Sequence, residues 1–332
     1  MKNAPQYLLR RRQFLQAALV SSVIPAAWAN PCSDPPEPIP GLPRGPFGRD
    51  STAEEVTEGM DLSGLRVVIT GCNSGLGYET MRVLTMRGAH VIGTARNAEK
   101  AMRATSSVKG RATPVVLELS DLDSVRAGAK TINDMNLPID VLICNAGIMA
   151  LPELKLANGI ELQFAVNHLG HFVFANALLE RVKQAKQGRV VMLSSCAHFF
   201  APEEGIDFDN LDGSKSYQPW RAYGRSKLAN VLYAAELSRR LKGTKVTANS
   251  LHPGVIKTNL GRHLDRDPND DSRYDKSIPQ GASTQTYVAV SPIVTPISGQ
   301  YFVDCNPAPA SEFAADEKLA AKLWEVSEEL TS

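Results

Sequence analysis

The sequence predicts an α/β protein, doubly wound, with a mostly parallel sheet covered by helices on both faces. Short β-branched runs alternate with longer amphipathic segments from residue 65 onward, an order that suits parallel strands joined by helical crossovers. A glycine-rich turn sits directly between the first such run and the first such helix, the place where an open parallel sheet takes a ligand. No internal repeat and no second domain interrupts the series.

The elements follow in order. LRVVITG reads as the first strand and 77–87 as a helix; HVIGTA is the second strand, with a helix through 107. TPVVLEL is the third, followed by a helix over 122–133, and IDVLICNAG is the fourth. The long stretch 159–186 is helical by pattern, and RVVMLSS is the fifth strand. A helix over 222–241 leads into the strand KVTANSLHPG, GQYFVD is a late strand, and 318–330 a final helix. Several of these strands are apolar along most of their length, as strands buried on both faces are.

Composition sets the bounds. A chain of 332 residues suits one α/β domain with appendages, and 43% hydrophobic with 21% charged residues suits a globular core. The net charge of +1, without a basic stripe interleaved with aromatics, gives nucleic acid nothing to bind. The five cysteines form no C-x-x-C and match neither a zinc site nor a disulfide scaffold. Cys72, Cys144 and Cys196 fall at strand-to-loop junctions and read as small buried thiols. Cys32 and Cys305 lie elsewhere, and an oxidising compartment would allow a bond between them.

The first 29 residues carry a separate message. Arg10, Arg11 and Arg12 precede a mostly apolar run, and Ala27-Trp28-Ala29 has the small-x-small shape of a cleavage site. This is the layout of an export signal, and RRQFL resembles a twin-arginine signal, which implies a periplasmic location and transient contact with export machinery. A membrane anchor or a cytoplasmic protein with a basic start are the alternatives. Residues 30–60 read as a Pro/Gly-rich linker, because PCSDPPEPIPGLPRGPFG cannot hold a helix. The single folded domain then spans 61–332.

Chemistry concentrates at three places. Gly71, Asn73, Ser74, Gly75, Leu76 and Gly77 form the glycine turn, which lets a pyrophosphate approach the backbone at a helix N-terminus. Its spacing is not G-x-G-x-x-G, so that fingerprint applies by mechanism only. After the second strand comes Arg96 with no carboxylate beside it; a ribose 2′-phosphate wants a cation there, so NADP(H) is favoured over NAD(H). Finally, Tyr223 and Lys227 stand four apart on a helix, hence on one face. A free phenol with pKa about 10 is a poor base unless a positive charge favours the phenolate. Lys227 and an oxidised nicotinamide would supply that charge. Ser195 ends the fifth strand on the carboxyl side, where its hydroxyl can meet a substrate oxygen. Asn167 lies in an apolar helical pattern and could hold a water linking Lys227 to solvent.

These pieces, TGCNSGLG at 70–77, CNAG at 144–147, Asn167, Ser195, YGRSK at 223–227 and HPGVIKT at 252–258, together resemble the short-chain dehydrogenase/reductase family. SSCAH, AYGRSKLAN, GQYFVDC and KLWEVSEEL narrow the likeness to its retinol-dehydrogenase and WW-domain oxidoreductase branch. The resemblance implies a seven-stranded Rossmann sheet, a homodimer or homotetramer, and hydride transfer between a nicotinamide and a carbonyl or alcohol of an apolar small molecule. It makes Tyr223 the general acid/base, Ser195 the substrate-orienting hydroxyl, Lys227 the ribose ligand that lowers the tyrosine pKa, and Asn167 a member of the proton relay. It also lays Asn145, Ala146 and Gly147 along the cofactor, puts Glu118 and Leu119 at the adenine edge, and sets Pro253, Gly254, Ile256 and Thr258 near the carboxamide.

Three departures stand out. Glu118 replaces the usual Asp, Cys144 replaces a frequent Asn, and an export signal is unusual for a user of a cytosolic cofactor. Residues 199–221 and 260–280 read as polar loops walling the substrate site. Phe199, Phe200, Tyr217 and Trp220 are candidates for its apolar lining, and Asp207, Asp209 and Asp212 for turn caps. His198 and His252 lack the companions a metal needs. Two rival functions are a non-catalytic redox sensor, against which the Ser195, Tyr223 and Lys227 set argues, and a nucleotide-sugar epimerase, against which the glycine spacing argues.

Overall fold

The computed structural model describes residues 39–264 and 271–332. The export and cleavage readings of 1–29 fall outside them.

Eight strands form the main sheet, in the order β10-β9-β8-β7-β4-β1-β2-β3. They are β1 (Arg66–Ile69), β2 (His90–Ala95), β3 (Ala112–Val116), β4 (Val141–Cys144), β7 (Arg189–Leu193), β8 (Thr247–His252), β9 (Tyr301–Val303) and β10 (Asn306–Ala308). All neighbours run parallel except β9 and β10. The eighth strand corrects the expected seven. It exists because Asp304 and Cys305 both take positive φ, 50° and 63°, and reverse the chain in two residues.

Side chains of β1 show how the sheet is covered. Val68 enters one core with Ile92, Leu142 and Val190, against Phe174 and Leu178 of α5 (Gly170–Lys183) and Leu237 of α6 (Pro219–Arg240). Val67 and Ile69 enter the other, with Met81 and Leu84 of α1 (Gly75–Met86) and Tyr287 of α8 (Ser283–Val290). Alternation along an extended chain makes both cores from one strand.

Helix boundaries follow their caps. Asn97 accepts from Lys100 N ahead of α2 (Ala98–Ser106), and Asp121 caps α3 (Leu122–Asp134). Asp316 caps α9 (Glu317–Thr331). Two expectations need correction. The stretch 159–186 opens with a hairpin, β5 (Leu156–Ala157) and β6 (Ile160–Glu161), turned by Asn158 and Gly159 at φ 52° and 79°. Helix then starts as α4 (Leu162–Phe164), passes through a π-helical turn at Ala165–Leu169, and continues as α5. Helix α8, preceded by the short α7 (Ile278–Gly281), was not expected at all. Its sequence STQTYVAV has no apolar stripe because nearly every residue is buried. Gln285 Nε2 donates to Thr80 Oγ1 at 2.5 Å and Thr286 Oγ1 to the Ala282 carbonyl at 2.8 Å, so part of its polar content is paired inside the core.

The folded chain also begins before Asp61. Ala53 and Val56 are buried, Phe47 meets the Tyr287 ring edge-on at 5.8 Å, and Ala53 N donates to the Pro279 carbonyl at 2.9 Å. The boundary expected at 61 thus lies inside packed chain. Cys72, Cys144 and Cys305 are buried free thiols, so the Cys32–Cys305 bond is not formed. Cys196 is disulfide-bonded and not the thiol expected.

Candidate active site

Strand β1 pairs with β2 on one side and β4 on the other. The chain therefore changes winding direction between β1 and β4, and the loops leaving their carboxyl ends part to form a crevice. The glycine turn leaves β1 there. Gly71 has φ 70°, and a Cβ on it would lie 2.8 Å from Ala146 Cβ; a Cβ on Gly77 would lie 2.4 Å from the Gly71 carbonyl. The turn is thus pressed onto the 145–147 loop. Asn145 Nδ2 holds it by donating to the Thr70 carbonyl at 2.8 Å.

This turn fits an anionic group. Ser74 holds the N-cap position of α1 in extended backbone but accepts no capping hydrogen bond, and no acidic residue lies in the first turn. The first amides of a twelve-residue helix thus lack a side-chain acceptor, as a phosphate site requires. Asn73 flanks the turn and is half-buried. Thr258 approaches from the loop after β8, its methyl 3.4 Å from the Cβ position of Gly75, and Ile256 and Leu76 close around Gly281. Pro253 follows β8 directly, and Gly254 at φ 107° lies against the Lys276 chain.

Arg96 is exposed at the end of β2 and makes no ion pair among the described residues. Arg262 was missed by the sequence reading. Burial, and then the nearby charge of Arg96, hold its guanidinium below its usual range. Glu118 is turned back on itself, its Oε1 accepting from Ser120 N at 3.1 Å and Ser120 Oγ at 2.8 Å. Leu119 is buried against Gly170.

The four expected catalytic side chains lie together beyond this turn. Lys227 Nζ donates to the Leu193 carbonyl at 3.1 Å and lies 5.6 Å from the centroid of the Tyr223 ring. A Cβ on Gly147 would stand 3.5 Å from that ammonium and 3.1 Å from Asn167 Oδ1. Burial lowers the Lys227 pKa to about 8 and raises that of Tyr223 to about 12, the latter opposed by the Ser195 hydroxyl. Ser195 Oγ also accepts from Ala197 N at 3.1 Å. The Asn167 side chain is fully buried. Its Oδ1 accepts from Ile148 N, and its Nδ2 donates to the Ile148 carbonyl and to Ser226 Oγ, each at 2.9 Å. Ser226 in turn donates to the Tyr223 carbonyl at 2.7 Å. Asn167 thus ties the 147–148 turn to the helix that carries Tyr223. Ser226 was not foreseen, although it sits inside YGRSK.

Around the mouth, Trp220 lies edge-on to Tyr223 at 6.1 Å and is 41% exposed. Phe200 is also exposed and its main chain abuts Gly224. Tyr217 instead donates to the Leu151 carbonyl at 2.6 Å and is part of the packing, and Phe199 lies on the His198 ring. Asp207 and Asp212 cap turns at Asp209 N and Ser214 N, as expected. His198 and His252 are engaged by the backbone of Ser195, Ser311 and Cys196.

Known proteins resemble this chain over most of its length. A family model described as short chain dehydrogenase matches residues 66–207. The chain is 43% identical over 297 residues to the short-chain dehydrogenase TIC 32 B, chloroplastic, of Brassica napus, covering 85% of this chain and 93% of that protein. It is 39% identical to human retinol dehydrogenase 14, covering 80% and 86%. A crystal structure of an uncharacterised protein from Mycobacterium paratuberculosis aligns with a TM-score of 0.69 at 36% identity, over 83% of this chain and 96% of that one.

Proposed function

The chain belongs to the short-chain dehydrogenase/reductase family, in the branch of the retinol dehydrogenases, and on that premise we propose that it is an oxidoreductase moving a hydride between NADP(H) and a carbonyl or alcohol carbon of an apolar small molecule. The observation that carries this reading is the convergence of Lys227 Nζ, Asn167 and the Tyr223 ring beside Gly147, next to the phosphate-ready turn at the end of β1.

When bound, the nicotinamide supplies or takes the hydride. The protein handles the proton. In reduction Tyr223 gives its phenolic proton to the substrate oxygen, and in oxidation the phenolate takes it back. Ser195 donates a hydrogen bond to the same oxygen as it gains charge. Lys227 lies over the phenol ring, anchored by one of its three donors to the Leu193 carbonyl, and its charge favours the phenolate through space. Asn167 and Ser226 fix the distance between the 147–148 turn and the Tyr223 helix. Trp220 and Phe200 offer an apolar wall beside the phenol. Arg96, with Arg262 nearby, supports NADP(H) over NAD(H), because neither position offers the carboxylate a free ribose 2′-hydroxyl would engage.

Purified full-length protein is assayed with NADPH and NADH against a panel of apolar aldehydes, ketones and alcohols by nicotinamide absorbance. Turnover that prefers NADPH and collapses in Tyr223→Phe is expected. Tight NADPH binding without turnover on any panel member would instead favour a dinucleotide-binding sensor.

A further inference from the structure

His171 occupies the fold at a point that the reaction chemistry leaves unassigned. It lies in the first turn of α5, one helical turn after Asn167, and is fully buried. Its Nδ1 is 3.0 Å from the Asn167 carbonyl oxygen, and its Nε2 is 2.9 Å from Thr70 Oγ1. A carbonyl oxygen only accepts, so Nδ1 must carry the proton. Burial is the largest influence on the ring and, with the charge of Lys227, lowers its pKa to about 4; the ring is therefore neutral near pH 7 and Nε2 is an acceptor. Thr70 must then donate to Nε2.

The Thr70 hydroxyl has two lone pairs left, and both are used. Asn145 N and Ala146 N each donate to Oγ1 at 2.9 Å. One hydroxyl thus donates once and accepts twice, with no capacity unspent. The chain of bonds runs from the 145–147 loop through Thr70, at the root of the glycine turn, through the imidazole, to the main chain of Asn167 in the π-helical turn. All of its side chains are 0% exposed, so water cannot substitute for a lost member, and each broken link leaves an orphaned buried group.

We infer that His171 is a positioning residue: its neutral imidazole joins the glycine turn, through Thr70, to the Asn167 turn, so that the dinucleotide cradle and the proton-handling end of the site are held in one register. The inference rests on the proposed dinucleotide function and adds to it a residue that touches neither the nucleotide nor the reacting atoms.

Two variants separate the arms. In His171→Asn the amide nitrogen replaces Nδ1 and keeps the bond to Asn167, while Thr70 is out of reach. In His171→Gln the amide oxygen reaches the Nε2 position and keeps Thr70, while the Asn167 bond is lost. The Kd for NADPH, read by nucleotide fluorescence on the full chain, and kcat are measured for each. For His171→Asn the Kd should rise about 3- to 10-fold with kcat within about 2-fold; for His171→Gln kcat should fall about 3- to 10-fold with Kd within about 2-fold. Thr70→Val, which also strips the acceptor from Asn145 N and Ala146 N, should raise the Kd at least as much as His171→Asn, the two together should be no worse than Thr70→Val alone, and Thr70→Ser should restore wild-type values. Should a His171 variant fail to fold, the Thr70 pair answers by itself, since serine keeps the hydroxyl and valine keeps the volume. Variants that lower only the melting temperature, or losses from Thr70→Val and His171→Asn that simply add, overturn the inference and leave the function standing. Wild-type protein that binds neither NADPH nor NADH overturns both.

Discussion

The ammonium of Lys227 lies 5.6 Å from the centre of the Tyr223 ring and is held there by the Leu193 carbonyl at 3.1 Å. It faces the ring and makes no direct bond to the phenol oxygen. Ser194 Oγ donates to the Lys227 carbonyl at 2.7 Å and fastens this part of α6 to β7. The lysine therefore acts on the phenol as a fixed charge, and its own protonation state becomes measurable.

Burial places the Lys227 pKa at about 8 in the folded protein, against about 10.4 in an unfolded chain. Between those values the unfolded chain binds more protons, so stability rises with pH across that window. Below pH 8 the burial cost is fully present. Wild-type protein should gain on the order of 3 kcal/mol relative to Lys227→Met between pH 8 and 10.4, read by denaturant unfolding of both proteins at each pH. A flat difference would refute the buried ammonium.

Tyr223→Phe should cost roughly 10²–10⁴ in kcat and leave the NADPH Kd nearly unchanged. In the free protein this phenol should titrate near pH 12, because burial raises it. The ultraviolet difference between wild type and Tyr223→Phe isolates it from the other tyrosines. Adding NADP⁺ should move that transition to lower pH.

Arg96→Ala should weaken NADPH binding about tenfold or more and leave NADH binding within about 2-fold, the loss of hydrogen bonds to a charged phosphate. Arg262→Ala should act in the same direction with a smaller effect. Equal losses for both nucleotides would remove the 2′-phosphate from the explanation.

Val56→Ala should destabilise the protein by on the order of 2 kcal/mol, because Val56 is buried in the core shared with α1 and α8. A change near zero in chemical unfolding would mean that the 39–60 stretch is dispensable to the domain.

Residues 1–29 are proposed to direct export, a reading that rests on RRQFL and Ala27-Trp28-Ala29 alone. Fused to a reporter that tolerates folded transport, they should deliver it to the periplasm. Arg11→Lys with Arg12→Lys should abolish delivery. Mass measurement of the exported form should show a chain beginning at Asn30.

Much of this protein was legible from local pattern. The strands are written in β-branched runs, the crevice in the glycine turn, and the Tyr223–Lys227 pair in its four-residue spacing, because each depends on residues close in sequence. The Asn158-Gly159 reversal was equally local and carried a usable hairpin signal. Helix α8 was not legible, since burial on all sides erases the amphipathic period on which a helix assignment depends.

What only the tertiary structure decided concerns partners far apart in the chain. Nothing in the sequence reveals that His171 answers Thr70, 101 residues away, or that Asn167 spends its amide on Ile148 and Ser226. A histidine in an apolar helix offers only the hint that a buried polar group needs a partner. Hydrogen bonds saturate, so the role of each group depends on which neighbour reaches it first, and packing alone chooses that neighbour.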